Sequence, residues 1–341
     1  MCESTHPHWA WIRTLHTMTL NELRARWLTP EGRVRAQNVF DWLIGGQDPS
    51  GDTLGYVNGR LDLRGFAVPS HAPSGMLSVS GYAVVEFDNV QTIVGRRWVA
   101  LDLSHAQLPG IKFFDTAMED CVFTGANCRG WRLWGCRVVD SSFAGVDFRE
   151  SALGTWRNGR GNSWEGVSFD RADLRTASFS GSRLTRCSFH DSRIDGVHFL
   201  QMDISHCVFS GTLRDVLFDC RAVPNERIVG PMIDVDFHDA RFIDVDFRGC
   251  RLEPPILPER DSITLVERYP AVARRMLERL SDDPSLNARM LAAELRGTLQ
   301  LAGGDDTVGI FNRRDYVASG GEALADLVVV TAMEAVASLD E

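Results

Sequence analysis

An all-β solenoid flanked by α-helical segments is the fold class that the sequence predicts. Three observations lead to it. A large apolar residue recurs every five residues, a mostly small residue recurs two positions before it, and helical patterns occur only outside this region. Neither a helix nor an ordinary strand produces a period of five, because their side-chain periods are about 3.6 and 2.0 residues.

The large apolar position runs from Leu103 to Leu252, and most of the chain's 18 phenylalanines occupy it. The series gains one residue before Trp164 and loses one before Phe218. We expect its members to form the core, among them Phe179, Phe189 and Phe199.

The second position, two residues earlier, holds small side chains such as Ala172, Ser182 and Cys187. One large and one small inward residue in every five indicates a chain that turns a corner every five residues. Four such sides make a coil of about twenty residues, and stacked coils bury a core that no single repeat could bury. Trp131 occupies a small-residue position, and we expect a bulge there.

This two-position pattern, seen in Ala172–Arg175 and Val245–Arg248, resembles the pentapeptide-repeat family. The resemblance implies a right-handed quadrilateral β-helix over residues 101–254. It also implies that the chain binds partners and does not catalyse a reaction.

The N-terminal part carries no strong repeat. We interpret residues 1–60 as a helical segment and linker, with Thr29 as the cap of a helix and Pro30 at its first position. Residues 61–100, where the rhythm is faint, are interpreted as degenerate first coils or a cap of the solenoid.

The C-terminal part, residues 255–341, is interpreted as a helical domain that covers the open end of the stack. Leu291, Leu295 and Leu299 are spaced by four and share one helical face. The segment Ser319–Glu322 has the pattern of a capping box before the last helix.

The formal net charge of −10 disfavours direct contact with nucleic acid or an anionic membrane surface. No apolar run reaches the roughly 18 residues that a membrane-spanning helix needs. The N-terminus lacks the features of a secretory signal, so we expect a cytoplasmic protein with reduced cysteines.

Catalytic and metal-binding patterns are not found in the sequence. There is no C-x-x-C pair, no zinc-like spacing and no phosphate-binding glycine loop. We therefore expect no catalytic residue, no cofactor and no metal. The cysteines that occupy the small inward position should be buried, compact hydrophobes; they are Cys121, Cys136, Cys187, Cys207 and Cys250.

An acidic stretch near the end of the repeats is the candidate partner-binding site. The inward positions are Val235, Phe237, Val245 and Phe247, so the aspartates between them should point outward. A solvated face without a partner is the simpler interpretation. The functional one joins this strip to the 223–231 loop, and its residues are Asp234, Asp236, Asp239, Asp244, Asp246, Asn225, Glu226 and Arg227.

Two functions remain open at the sequence level. The first is a scaffold that binds an unidentified protein partner, with a homodimer left open. The second is implied by the resemblance: some pentapeptide-repeat proteins mimic DNA, bind DNA gyrase or topoisomerase IV, and protect them from quinolones or other poisons. Mimicry needs a continuous negative face, and arginines spread along this array argue against one.

Overall fold

The computed structural model of the chain describes residues 18–45, 54–69, 91–156, 159–221, 229–258 and 263–339. The chain divides into two compact units, Met1–Asp173 and Leu174–Glu341. None of the helices in the described ranges is both long enough and apolar enough to cross a membrane.

The first unit begins with two helices, α1 (Leu20–Ala25) and α2 (Pro30–Ile44). The Thr29 hydroxyl caps α2 by accepting the N–H of Gly32, and Pro30 occupies the first turn, as the sequence predicts. The indole N–H of Trp98 donates to the Leu43 carbonyl at 3.2 Å. The helices therefore lie against the early coils of the same unit.

The strands of the first unit are short and form the sides of a coil. They are β1 (Tyr56–Val57), β2 (Arg60–Asp62), β3 (Thr92–Val94), β4 (Arg97–Val99), β5 (Leu101–Asp102), β6 (Lys112–Phe114), β7 (Ala117–Glu119), β8 (Arg132–Trp134), β9 (Arg137–Val139) and β10 (Ser163–Glu165). Apart from the β1–β2 pair, their pairings are parallel.

Four sides complete each coil, as the period of five predicts. On the side formed by β3, β6 and β8, Phe113 lies beside Leu133, twenty residues later in the chain. The strands β4, β7, β9 and β10 form the next side. Bridges at Val122 and Asn127 mark the remaining two.

Most corners in the described coils are made by a residue with a left-handed backbone, two positions after the large apolar residue. Asp115, Asp120 and Gly125 are consecutive examples, with φ of 49°, 52° and 65°. At Gly166 (φ 64°) a Cβ would lie 2.3 Å from Oδ1 of Asp140, so a larger residue there would require that carboxylate to move.

Residues at the small inward position also supply hydrogen-bond acceptors to the preceding coil. The backbone N–H of Cys121 donates to Oγ of Ser141 at 3.0 Å. In the second unit, the N–H of Cys187 donates to Sγ of Cys207 at 3.4 Å. Serine and cysteine thus satisfy backbone groups that would otherwise be buried without a partner.

Replacing Ser141 by alanine is expected to lower the free energy of unfolding by about 1–3 kcal/mol, because the N–H of Cys121 loses its acceptor in the core. Ser141→Cys keeps an acceptor, as in the Cys187–Cys207 pair, and should cost clearly less. Chemical denaturation of both variants measures the difference. Equal losses would show that volume alone matters at this position.

The bulge expected at Trp131 is absent. Arg132 pairs with Lys112 on one side and with Ala152 on the other, each twenty residues away. The Trp131 side chain is fully buried, and its indole N–H donates to the Leu108 carbonyl at 2.6 Å. The ring therefore lies inside the coil, and the strand keeps its register.

The extra residue that the apolar series gains before Trp164 lies in a coil that is longer than twenty residues. Ser163 pairs with Arg137, an offset of 26 residues instead of twenty. Asn162 is buried beside this insertion, where its Oδ1 accepts the N–H of Cys136 and its Nδ2 donates to the Leu153 carbonyl at 2.9 Å. The asparagine therefore satisfies backbone groups that the longer coil leaves without ladder partners.

The second unit continues with parallel strands around an aromatic core. They are β11 (Ser178–Ser180), β12 (Arg183–Thr185), β13 (Ser188–Phe189), β14 (His198–Leu200), β15 (Asp203–Ser205), β16 (Val208–Phe209), β17 (Gly211–Asp219), β18 (Met232–Ile233), β19 (Ala240–Arg248) and β20 (Leu252–Glu253). The rings of Phe179, Phe199 and Phe218 stack at 5.2 and 5.0 Å, and those of Phe189 and Phe209 at 4.6 Å. The prediction that these phenylalanines are buried is confirmed.

The C-terminal part of the second unit is mixed, not purely helical. Its elements are β21 (Ile263–Val266), α3 (Tyr269–Leu280), α4 (Leu286–Leu299), β22 (Gly309–Asn312), α5 (Arg313–Gly320) and α6 (Glu322–Ala337). The two strands pair antiparallel. Leu291 and Leu295 of α4 are buried in a common core with α3 and α6, and Leu299 packs against that core.

The capping box predicted at Ser319–Glu322 is wrong. Ser319 still belongs to α5, where its hydroxyl donates to the Asp315 carbonyl at 3.0 Å. Gly321 is the first residue before α6, and it has a φ of 80° and no side-chain cap. The reversal between two adjoining helices needs this left-handed residue, and it replaces the expected cap.

Candidate functional site

The aspartates singled out by the sequence lie on successive sides of the last coil. Asp234 follows β18 at a corner, where its Oδ2 is 3.1 Å from Nδ1 of His206. Asp236 lies on the next side, and its carboxylate accepts the N–H of His238 at 2.7 Å. Asp239 is exposed just before β19.

Asp244 and Asp246 lie further along, on β19. The N–H of Asp244 donates to Oδ2 of Asp315 at 3.1 Å, and Oδ2 of Asp246 is 2.6 Å from Nε of Arg248. A single acidic face over 234–246 is therefore not formed, because a chain that turns every five residues spreads thirteen residues over more than two sides. All five carboxylates are exposed or half-buried, and Val245, expected inward, is half-buried as well.

The loop component of the predicted site falls mostly outside the described residues. Asn225, Glu226 and Arg227 lie there, within residues 222–228. Val229, the next described residue, is buried. The part played by the loop in binding stays a prediction.

The C-terminal elements are joined to the last coil by hydrogen bonds. The N–H of Val308 donates to the Cys250 carbonyl at 2.9 Å, and Nδ2 of Asn312 donates to the Phe242 carbonyl at 3.0 Å. Backbone groups of the last coil thus find partners in the C-terminal elements of the same unit, which reduces the open edge of the sheet.

A cavity of about 360 Å³ lies beside Asp244 and Asp246, between β19 and the C-terminal elements. Its volume is within the range of small ligand sites, about 300–1,000 Å³. Its walls combine carboxylates, aromatic rings and one guanidinium group. The lining side chains that matter most are Asp244, Asp246, Glu294, Asp315, Arg248, Tyr269, Phe311 and Tyr316.

The hydroxyl groups inside the cavity are already engaged. The Tyr316 hydroxyl donates to Oε1 of Glu294 at 2.5 Å, and the Tyr269 hydroxyl is hydrogen bonded to Oγ1 of Thr298. Desolvation, together with the nearby Asp246 carboxylate, raises the pKa of Glu294 in spite of the tyrosine hydrogen bond. Burial, with the charges of Glu294 and Asp246, raises the pKa of Tyr269 to about 12. Among the described lining residues, four carboxyl groups accompany one guanidinium group.

Sequence reasoning found Asp244 and Asp246 but missed the opposite wall of this cavity. Glu294 comes from α4 and Tyr316 from α5, at least 48 residues after Asp246 in the chain. The one signal in the sequence was the excess of acidic residues after position 252. Composition does not say which of those residues meet.

The described residues hold no group of three or more His, Cys, Asp or Glu side chains placed to bind a metal ion. The cysteines among them are free and buried. Burial raises the pKa of Cys121 and of Cys136 to about 11, so these thiols stay neutral. They behave as packing residues and hydrogen-bond partners, not as activated nucleophiles.

Opposite charges alternate along the solenoid sides. In the first unit, Glu119 pairs with Arg97 at 2.6 Å and with Arg137 at 3.4 Å, and Arg137 approaches Glu165 at 3.7 Å. The second unit contains similar pairs, namely Arg183–Asp203, Arg214–Asp195 and Arg221–Asp219. Pairs between neighbouring coils, and the Arg221–Asp219 pair within one coil, thus neutralise surface charge within each unit.

Comparison with known proteins agrees with this architecture. Residues 160–191 and 172–211 match the family model described as pentapeptide repeats, with 8 copies. No curated protein sequence matches the chain.

Solved structures with similar coils share little sequence with it. Trypsin-treated QnrB1, described as a plasmid-mediated fluoroquinolone resistance protein, is 16% identical over 46% of this chain and 72% of its own, with a TM-score of 0.27. HetL, a pentapeptide repeat protein involved in heterocyst differentiation regulation from the cyanobacterium Nostoc sp., is 13% identical over 49% and 89%, with a TM-score of 0.21.

At such TM-scores neither neighbour adds to the assignment, which depends on the family match and on the coils themselves. Those coils have four sides, parallel pairing twenty residues apart, buried phenylalanines and left-handed corners. These are the properties that the repeat pattern requires. This chain therefore contains pentapeptide repeats, and its parallel strands form a β-solenoid with helical flanking segments.

Proposed function

We propose that this protein is a non-catalytic scaffold that binds a basic protein partner through the cavity beside β19 and its rim. The observation that carries the proposal is the composition of that cavity. Asp244, Asp246, Glu294 and Asp315 contribute four carboxylates, whereas Arg248 contributes the one guanidinium group among the described lining residues. A lysine or arginine side chain from a partner would relieve this imbalance.

The aromatic lining supports the same kind of ligand. Tyr269, Phe311 and Tyr316 line the cavity together with the carboxylates. A cation near aromatic rings gains an additional attraction, and guanidinium groups exploit it often. The carboxylates would supply charge and hydrogen-bond acceptors, and the rings would contact the apolar stem of the same side chain.

A rigid repeat array suits a binding function. Core rings such as Phe123, Phe143 and Phe169 are completely buried, so the interior of the coils is filled with side chains. What such an array offers to other molecules is its outer walls and the domain attached to its end. This supports recognition of a macromolecule over chemistry on a small substrate.

Topoisomerase binding by DNA mimicry is not favoured by the surface charges. Rows such as Arg97–Glu119–Arg137 alternate in sign, whereas a mimic of DNA needs a continuous negative wall. We expect the purified protein to leave quinolone inhibition of gyrase supercoiling unchanged. Protection of gyrase in that assay would restore the topoisomerase hypothesis.

The binding proposal is tested with two matched double variants of the last coil. Asp244→Asn/Asp246→Asn removes two charges from the cavity, and Asp234→Asn/Asp239→Asn removes two from other sides. Each pair contains one left-handed residue, Asp234 or Asp244, at which asparagine is well tolerated. Quantitative affinity capture from a native lysate should lose its specific partner with the first variant and keep it with the second.

The captured partner then allows a kinetic measurement. Its association with the first double variant should be slower than with the wild type, most visibly at low salt, because screening is weakest there. An unchanged association rate, with the fold intact, would remove the cavity from the binding site. Capture that depends equally on both double variants would show only non-specific attraction to acidic surface.

A further inference from the structure

Two cysteines at the end of the solenoid face each other across neighbouring coils. Sγ of Cys250 lies 2.7 Å from Sγ of Cys220. The backbone holds both residues in place: the N–H of Cys220 donates to the Arg248 carbonyl at 2.8 Å, and Sγ of Cys250 is 3.3 Å from the Phe218 carbonyl oxygen. The two thiols therefore meet because of strand pairing, not through flexible side chains.

The distance between the sulfur atoms is unusually short for two thiols. It lies between a disulfide bond, about 2.05 Å, and an ordinary non-bonded contact, about 3.5–4.0 Å for carbon-sized atoms. Neither partner needs to travel far to form the bond. We propose that Cys220 and Cys250 form a site of reversible oxidation to an intramolecular disulfide.

The exposures of the two residues suggest the order of events. Cys220 is 9% exposed and immediately precedes Arg221, whereas Cys250 is completely buried. Burial raises the pKa of Cys250 well above its ordinary value. Cys220 is therefore the thiol that a small oxidant reaches first, and Cys250 is the thiol that resolves the product.

The reaction balances with a peroxide as the oxidant. Cys220 attacks hydrogen peroxide, the O–O bond breaks, and a sulfenic acid and one water form. The sulfur of Cys250 then displaces the hydroxyl group of that sulfenic acid, so the S–S bond forms and a second water leaves with the Cys250 thiol proton, the Cys220 proton having left in the first water. The two cysteines lose two electrons and the peroxide gains them. A low-molecular-weight dithiol such as dithiothreitol reverses the change by exchange.

The disulfide would close the segment between residues 220 and 250, which contains β18, β19 and residues 222–228. A cross-link of this kind restricts the unfolded chain and stabilises the folded one. We therefore expect the denaturant midpoint of the second unit to rise after oxidation and to return on reduction. This inference is independent of the proposed function, since it needs no protein partner.

The test combines peroxide treatment of the native protein, alkylation of remaining thiols in denaturant, and peptide mass spectrometry. The expected product is a Cys220–Cys250 cross-linked peptide pair that has lost two hydrogen atoms and disappears after dithiothreitol. Cys220→Ser should abolish both the cross-link and the midpoint shift. The matched control Cys187→Ser should retain both.

Several results would overturn the proposal. Full alkylation of Cys220 and Cys250 after peroxide would do so, as would sulfinic acid at Cys220 without a cross-link. A mixture of disulfides in which this pair is no more abundant than others would indicate scrambling in unfolded protein. Because Cys220 lies at the surface end of the pair, its serine variant should fold even if Cys250→Ser does not.

Discussion

Replacing Phe199 by alanine is expected to lower the free energy of unfolding by about 3–5 kcal/mol, the usual loss for a fully buried phenylalanine. Its ring is 1% exposed and stacks between Phe179 and Phe218 at 5.2 and 5.0 Å. It also meets the rings of Phe189 and Phe209 edge-on at 6.1 and 5.8 Å. The cavity left by alanine would lie among rigid rings from three coils, which collapse poorly into empty space.

The adjoining residue provides the control for Phe199→Ala. Leu200 is half-buried and points away from the core, so Leu200→Ala should cost about 1 kcal/mol or less. Chemical denaturation followed by far-UV circular dichroism measures both variants. Similar losses at the two positions would contradict the assignment of Phe199 as an inward residue and Leu200 as an outward one.

Asp62→Asn is expected to destabilise the first unit by about 3 kcal/mol. The Asp62 side chain is fully buried, and its Oδ1 lies 2.8 Å from Nη2 of Arg26 and 2.9 Å from Nε of Arg64. Asparagine would leave two guanidinium groups without their anion. The loss should fall at the low end of the usual 3–5 kcal/mol, about 3 kcal/mol, because both arginines keep some contact with water.

An exposed pair in the same unit serves as the control for Asp62. Asp120 binds Arg60 at 2.5 Å, but its side chain is 53% exposed. Asp120→Asn should therefore change the free energy of unfolding by about 1 kcal/mol or less. If both asparagine variants behave alike, the buried ion pairs of Asp62 contribute no more to stability than the exposed Arg60–Asp120 pair.

The ion pairs of Asp62 with Arg26 and Arg64 also predict that the free energy of unfolding depends on pH. Burial acts to raise the pKa of Asp62, but the hydrogen bonds from Arg64 and Arg26 outweigh it and hold the pKa below the ordinary 3.8. A carboxyl with a lowered pKa stabilises the fold above its unfolded-state pKa, and this contribution is lost as the pH falls through the folded-state value. The difference in stability between wild type and Asp62→Asn should accordingly be full near neutral pH and shrink in acid.

The solenoid was predictable because its information is local and repeated. Every fifth residue reports on the same environment, so single exceptions do not hide the pattern. Trp131 shows the limit of that reasoning: size alone predicted a bulge, whereas the indole is buried inside the coil and donates to the Leu108 carbonyl. The acceptor role of Ser141 was not predicted for a related reason. The sequence shows that this residue is small, but not that its hydroxyl accepts a hydrogen bond.

The amino-acid pattern alone specified the core, the corner positions and the outward direction of most acidic residues. Only the tertiary structure determines which of these acidic residues share a surface. Corners every five residues separate Asp234 from Asp246, while packing of the C-terminal helices against β19 brings Glu294 and Tyr316 to the same cavity as Asp246. The reason is physical: a periodic core is encoded by neighbours in sequence, whereas a cavity and a thiol pair depend on contacts between distant segments.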